Sequence, residues 1–489
     1  MKSRKTPKLS WVKDNSWVVL LVLIFTGANA YLFFQDNYYL SALPLVLAII
    51  YIAIYHTNTA FLITAFLTPL SVNLEEFTDG KIGLFLPTEP ILFGLMMLMI
   101  MRQIQTPYID KYFWRHPITL SIGFYLLWIF ITSIVSSHPS VSFKFLLMKL
   151  WYIIPIMFIG FQLFQKKDNI VKFLWLYSIG MTLVITYTLI RHYGYAFGEQ
   201  EGHWVMSPFF KDHTIYGAGV AMSLFFVIGI YFSKAHNPLV HLILIVMLVI
   251  TLIGLYFSYT RGAWLSVVFA GVIWLFIRFK VKFKYLLSIG LTVLALVGIF
   301  WSKIEMELAR NKQEHTTTEF NERLQSAANI TSDASNLERL NRWDAALAMF
   351  KERPIFGFGP ATYAFEYAPY QNPENLTIIS TNFGNMGNAH SEFLGPLAEM
   401  GLFGILSVGA FVSILFYASI TLYIRLKNEY PERTELRILL LSVILSMSTY
   451  FFHGLLNNYL DTDKASIPVY GTCAMIIAIE MVLRKEKSS

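Results

Sequence analysis

Long apolar runs separated by short polar turns repeat along most of this 489-residue chain. Runs of about 20 residues can cross a hydrocarbon core of roughly 30 Å as helices. Fourteen runs predict such helices, at residues 17–34, 38–55, 59–72, 82–101, 117–135, 145–165, 171–190, 214–232, 238–257, 262–277, 285–302, 401–424, 438–456 and 466–483. Because the third and tenth runs are short, the pattern predicts an all-α polytopic membrane protein with 12–14 transmembrane helices.

One long polar segment, residues 303–390, interrupts this pattern. The prediction is therefore an N-terminal bundle of about eleven spans (1–302), a large and mostly helical loop domain (303–390) and about three C-terminal spans (391–489). Pro354 and the glycines after it end a helix in the loop domain, which is predicted from apolar residues at helical spacing, Leu340, Trp343, Leu347 and Phe350.

Composition and charge agree with a membrane protein. Hydrophobic residues make up 55% of the chain and charged residues only 14%, which does not describe a soluble surface. If the N-terminus is cytoplasmic, most of the 38 Lys and Arg residues fall on cytoplasmic turns and tails, as the positive-inside rule requires. Both termini are then predicted in the cytoplasm and the long loop outside. This topology explains the net charge of +7, so the charge does not indicate a nucleic-acid partner.

His390 is the first candidate for chemistry, since it lies where the long loop re-enters the membrane. An imidazole there has access to water and can accept a proton from a sugar hydroxyl near neutral pH. The segment HSEFLGPLAEMGLFG can form a helix in which Gly401 and Gly404 allow close packing. The alternative interpretation is an interfacial histidine that only caps a helix.

Three arginines are candidates for binding an anion. Arg261 lies in the tight outer turn FSYTRGAWLS, where a guanidinium at the membrane boundary is costly unless it is paired. Its planar fork fits two phosphate oxygens, although lipid headgroups could also bind it. Arg339 and Arg342 lie on the helix that carries Trp343, where they would either meet an anionic ligand or face solvent.

Weaker candidates lie in two other outer turns, and ordinary loop polarity explains them as well as sugar binding does. They are Lys211, Asp212 and His213 before one span, and His453, Asn457, Asn458, Asp461 and Asp463 after another. The chain has no Walker-type phosphate loop, no HExxH and no Cys/His metal spacing, so the sequence predicts neither a metal nor a cofactor.

The segment that begins at His390 resembles the signature of bacterial O-antigen ligases, a His-Ser pair followed after nine residues by Gly401 and Gly404. Three further segments follow the family's order. FFKDHTIYGAG resembles its outer-loop motif, YTRGAWLS its Ser/Thr-Arg-Gly/Ser turn, and ERLNRWDAALAMFKERPIFGFGP its Arg-x-x-x-Trp helix and Pro-x-x-Gly-x-Gly turn. The resemblance covers roughly residues 205–460. The wider superfamily also includes O-antigen polymerases and protein O-oligosaccharyltransferases.

The resemblance implies an inverting, metal-independent glycosyltransferase of the GT-C type in the bacterial inner membrane. Its donor would be a glycan on a polyprenyl (undecaprenyl) diphosphate, and its acceptor the lipid A-core oligosaccharide at the periplasmic face. Carried over by position, Arg261 and Arg339 would hold the diphosphate, and His390 would orient or deprotonate the acceptor hydroxyl. Arg342 would substitute for Arg339, which alone stands four residues before the tryptophan. We expect the other substrate contacts from Lys211, Asp212, His213, Asn458 and Asp461.

Three other functions compete with the ligase. A polymerase would use the same residues with a growing repeat unit as acceptor, and a protein O-oligosaccharyltransferase would use a protein hydroxyl. A single dominant outer loop favours the ligase. A glycolipid transporter without a bond-making step would be expected to show internal repeats and charged residues within the spans, and neither is evident.

Overall fold

The computed structural model describes residues 16–37, 39–77, 83–280, 292, 334–373, 376 and 387–488. The chain forms two compact units, Met1–Ala60 and Phe61–Ser489. The first unit holds α1 (Ser16–Phe33), a 3-10 turn (Tyr39–Ala42) and α2 (Leu43–Tyr55), and α3 (Thr57–Leu67) begins within it.

The second unit contains the other elements of the described chain. Before the long loop these are a two-stranded antiparallel ribbon, β1 and β2, and eight helices. Their bounds are β1 (Val72–Asn73), β2 (Phe85–Leu86), α4 (Thr88–Gln105), α5 (Lys111–Arg115), α6 (Pro117–Ile134), α7 (Pro139–Leu163), α8 (Lys167–Tyr193), α9 (His213–Ser233), α10 (Pro238–Tyr256) and α11 (Arg261–Arg278). Short 3-10 turns lie at Leu74–Phe77 and Glu201–His203.

Five helices and one 3-10 turn follow. In the loop domain lie α12 (Ala334–Glu352), α13 (Tyr363–Glu366) and the turn Ala368–Tyr370. The chain then re-enters the bundle with α14 (Leu394–Glu429), α15 (Thr434–His453) and α16 (Asp463–Ser488).

The predicted class, an all-α polytopic membrane protein, is confirmed. Each predicted span within the described residues overlaps a helix, and ten of these helices are long and apolar enough to cross a membrane. Helices α2 and α3 are shorter, with 13 and 11 residues, and α4 has polar residues at both ends. The predicted span at residues 285–302 lies outside the described residues. The count of 12–14 spans, the three-part domain division and the GT-C-like arrangement stay predictions.

The most extensive helix contact joins α9 and α15, which are both largely buried. A Cβ on Gly229 would lie 2.1 Å from Oγ of Ser442, so only glycine permits this approach. The Ser446 hydroxyl also donates to the Met222 carbonyl across the contact, at 3.1 Å. The pair therefore fixes the start of α9 and the end of α15 at the same end of the bundle, where the loop domain also attaches.

Helix α12 confirms the helix predicted from apolar spacing in the loop domain. Leu347 is 41% exposed, while Asn341 and Arg342 are buried together with Ala345, Ala346 and Met349. The small side chains of this face let α12 lie against an aromatic and alanine cluster of Phe358, Tyr363, Tyr367, Ala389 and Ala398.

The Pro-x-x-Gly-x-Gly turn packs against a kink in α14. Gly401 has φ of +67°, and a Cβ on it would lie 2.3 Å from the Ile355 carbonyl oxygen. The Leu402 amide donates to the Pro354 carbonyl at 2.9 Å, and the Gly359 amide donates to the Glu399 carbonyl at 2.7 Å. Gly401 was expected to allow helix packing. It allows instead a break in the helix, into which the loop-domain turn fits.

We predict that Gly401→Ala destabilises the protein by about 1–3 kcal/mol, because a Cβ is disfavoured at positive φ and clashes with the turn. Thermal unfolding of the purified protein in detergent measures this as a lower Tm. Gly409→Ala in the same helix is the matched control, since no atom lies within 4 Å of its Cβ position. Equal Tm values for the two variants would show that the kink does not require glycine at position 401.

Candidate functional site

His390 lies in the short loop between the loop domain and α14, with its backbone in the left-handed region at φ of +46°. The conformation is held locally, since the His390 amide donates to Oδ1 of Asn388 at 2.9 Å. On the other side, the Ser391 hydroxyl accepts the amides of Phe393 and Leu394 at 3.2 and 3.3 Å, and so caps the start of α14. The His-Ser pair thus both turns the chain and begins the helix.

Arg342, on α12, contacts the same His390 loop at Asn388. Its guanidinium forms a buried ion pair with Glu338 at 2.7 Å and donates to the Asn388 carbonyl at 3.1 Å. It also lies over the Tyr367 ring, 5.0 Å from the centroid. A Cβ on Gly387 would lie 1.9 Å from Nη1 of Arg342, so the loop can approach only with glycine there. Arg342 was predicted to bind substrate, which stays a prediction, but its contacts are those of a residue that shapes the loop.

Arg339, one helical turn before Arg342, shares its surroundings with His390. Burial, together with the positive charges of Arg339 and Arg342, lowers the pKa of His390 to about 3, against a hydrogen bond with the Asn457 side chain. His390 is therefore a neutral imidazole at physiological pH, able to accept a proton. The structure brings these two predicted site residues together.

Glu392 ties the His390 loop to the turn after α15, and the sequence-based selection missed it. Its carboxylate accepts the Tyr450 hydroxyl at 2.6 Å and the amides of Tyr459 and Leu460 at 2.7 and 2.9 Å. The Glu392 amide donates to the Gly454 carbonyl at 2.8 Å. A carboxylate this close to a membrane-entering helix was a signal that could have identified it.

The turn that carries Arg261 belongs to the same end of the bundle. The Thr260 hydroxyl donates to the His213 carbonyl at 2.7 Å, which joins this turn to the start of α9. Gly262, the next residue after Arg261, packs against His453, and a Cβ on it would lie 3.2 Å from Nε2 of that ring. Arg339 and Asp212 in turn contribute to the electrostatic environment of His453. The turn is therefore part of the cluster that contains Arg339 and His390.

The outer-loop motif contributes structure as well as polar groups. Asp212 caps α9 by accepting the amides of Thr214 and Ile215 at 2.7 and 3.1 Å. The His213 ring stacks on His203 with a centroid distance of 4.2 Å. Asp212 also acts electrostatically on His390.

Lys211, by contrast, lies on the surface. Its side chain is 69% exposed and forms an ion pair with Glu75 at 3.7 Å. A substrate role for Lys211, Asp212 and His213 stays a prediction.

Asn458 and Asp461 line a cavity of about 200 Å³ on the other side of the His390 loop, with Lys149, Glu392 and Glu399. Burial raises the pKa of Glu392 and Asp461, while the Lys149 ammonium opposes that shift. The Lys149 ammonium donates to the Leu460 carbonyl at 2.8 Å. The charged groups that line the cavity are mainly acidic.

Asp461 and Asp463 have the Asp-x-Asp spacing used by many metal-dependent sugar transferases, but they do not act as a pair. Asp463 accepts the hydroxyls of Ser71 and Thr88 at 2.5 Å each, whereas Asp461 faces the cavity. Within the described residues, no group of three or more His, Cys, Asp or Glu side chains is placed to hold a metal ion.

The fold and the site define a polytopic helical membrane protein whose polar cluster lies at one end of its bundle. Residues 246–409 match the family model described as O-Antigen ligase, a range that includes Arg261, Arg339 and His390. This part of the chain is therefore similar to the O-antigen ligase family, whose members are glycosyltransferase-like ligases and polymerases that act on lipid-linked glycans. An uncharacterized protein of Haemophilus influenzae is 21% identical over 318 residues, which are 64% of this chain and 74% of that protein.

We predict that Glu392→Ala destabilises the protein by about 2–4 kcal/mol, because a buried hydroxyl and two buried amides lose their shared acceptor. Glu392→Gln keeps an acceptor oxygen and should lose less than half as much. Thermal unfolding in detergent measures both changes.

The control is Glu429→Ala at the end of α14, where the side chain is 49% exposed and pairs with Arg425. Its Tm should stay close to that of the wild type. A Glu392→Ala protein as stable as this control would rule out the carboxylate as the link between the two segments.

Proposed function

We propose that this protein is an O-antigen ligase that transfers a glycan from a polyprenyl diphosphate carrier to lipid A-core oligosaccharide. The reaction would take place at the periplasmic face of a bacterial inner membrane, with both termini in the cytoplasm. The observation that carries the proposal is the neutral His390 beside Arg339, at the bundle end that also holds the Arg261 turn. The family match supports the same chemistry.

In the proposed reaction, the acceptor hydroxyl oxygen attacks the anomeric carbon of the donor sugar. The bond from that carbon to the diphosphate oxygen breaks, and the polyprenyl diphosphate leaves with the electron pair. The hydroxyl proton passes to the imidazole of His390. Attack opposite to the leaving group inverts the configuration at the anomeric carbon.

The roles of the arginines follow from charge. Negative charge develops on the departing diphosphate, and guanidiniums placed at that point stabilise the transition state. Arg261 and Arg339 would supply this stabilisation with bidentate hydrogen bonds, which replaces the metal ion of many soluble transferases. The carrier lipid would remain in the bilayer while its sugar reaches His390.

The proposal predicts that purified protein in detergent, with a chelator present, forms a glycan–lipid A-core conjugate from the two lipid substrates. His390→Ala and Arg261→Ala should each lower the rate about 100-fold or more. His241→Ala and Arg425→Ala are controls on the other end of the bundle, where His241 contacts Tyr231 and Arg425 contacts Glu429. Gel mobility of the lipid A-core product gives the readout.

The products also separate the competing functions. Long glycan chains that remain on the polyprenyl carrier would identify a polymerase with the same site. Full activity in both His390→Ala and Arg261→Ala would refute the assignment of the site, whatever the product.

A second prediction concerns pH. The lowered pKa keeps His390 neutral above about pH 4, so kcat/KM for the acceptor should show no acid limb from this residue between about pH 5 and 8. An unperturbed histidine would instead lose activity as pH falls through about 6.5. Initial rates of wild type and His390→Gln across this range test the prediction. An acid limb near 6.5 that disappears in His390→Gln would contradict it.

A further inference from the structure

His453 is a buried histidine whose two ring nitrogens make no hydrogen bond within the described part of the chain. The side chain is 1% exposed, at the last position of α15. Leaving a buried donor or acceptor without a partner costs about 1–3 kcal/mol. A histidine that served only for packing at this position would therefore lower the stability of the fold.

The ring is aimed at the start of α11. Nε2 lies 3.2 Å from the position that a Cβ on Gly262 would take, the nearest of the ring atoms to that position. The Tyr459 ring contacts the other side edge-on, with a centroid distance of 5.7 Å and an interplanar angle of 85°. A Cβ at position 262 would crowd the imidazole, so glycine there favours its close approach to the start of the helix.

The start of α11 is suited to an anion. The aligned peptide dipoles of its 18 residues place partial positive charge there. Its N-cap residue, Thr260, makes no side-chain capping hydrogen bond, because its hydroxyl donates to the His213 carbonyl. Arg339 adds positive charge from the loop domain, since its guanidinium acts electrostatically on His453.

We propose that His453 is a third donor-binding residue, whose Nε2–H donates to a phosphate oxygen of the lipid-linked diphosphate at the start of α11. The inference rests on the proposed function, which supplies the diphosphate. According to this proposal, the start of α11 and His453 bind the phosphate whichever sugar the donor carries. His453 is thus a binding residue, and the proton transfer stays with His390.

Binding of polyprenyl diphosphate without a glycan tests this independently of transfer. The probe is titrated into wild type, His453→Leu, His453→Gln and the control His241→Leu, in detergent, with polyprenyl monophosphate as the comparison ligand. His453→Leu should weaken diphosphate binding about tenfold or more, as expected for one hydrogen bond to a charged oxygen. His453→Gln, which keeps an N–H donor, should stay within about threefold of wild type, and His241→Leu should bind as wild type does.

Kinetics give a second readout. His453→Leu should raise KM for the lipid-linked donor and leave KM for lipid A-core unchanged, a split that loss of folding would not produce. If His453→Leu does not fold, Gly262→Ala provides the test of diphosphate binding. Its methyl group displaces the imidazole from the start of α11, while the imidazole and the helix start are both retained. It should weaken diphosphate binding about threefold or more.

Three outcomes would overturn the inference. They are diphosphate binding by His453→Leu equal to wild type, equal losses in His453→Leu and His453→Gln, and unchanged binding in Gly262→Ala. Failure of the proposed function looks different, since wild type itself would then bind polyprenyl diphosphate no better than the monophosphate.

Discussion

One carboxylate, that of Glu392, holds together the parts of the chain that form the candidate site. It accepts three hydrogen bonds, from Tyr450 within α15 and from the amides of Tyr459 and Leu460 in the turn beyond it. Glu392 stands two residues after His390, so its contacts fix the distance from the His390 loop to that turn. Asn457, which bonds the His390 side chain, lies in the same turn.

The opposite side of the loop is fixed by Arg342, and the two anchors explain why His390 adopts a positive φ. Arg342 binds Glu338 and the Asn388 carbonyl, so it holds the loop at Asn388. The loop is held at Glu392 by the hydrogen bonds of that residue's own carboxyl group. The short chain between them must turn sharply, and the cost falls on His390. Two buried polar groups that each make several hydrogen bonds are expensive to desolvate but make the loop position unique. Preorganisation of this kind is what a proton acceptor needs.

Periodicity predicted most of this fold, because apolar runs of membrane length leave few alternatives. The motifs also led to His390, Arg261 and Arg339, of which the structure places His390 and Arg339 together and joins the Arg261 turn to them through His453. Glu392 and the anchoring contacts of Arg342 were not predictable. Their roles depend on partners more than 40 residues away or on an inward face chosen by packing, and sequence spacing reports neither.

The distribution of charge around His390 gives the remaining argument for its position. Arg339, Arg342 and the start of α11 make one side positive, whereas the cavity on the other side carries Glu392, Glu399 and Asp461 against a single Lys149. A transfer from a diphosphate to a sugar hydroxyl requires both environments, one that accepts a leaving anion and one that accepts hydrogen bonds from hydroxyl groups. They must meet at the atom that exchanges the proton. A neutral imidazole suits that meeting point, because it can accept the hydroxyl proton, whereas an imidazole that is already protonated cannot.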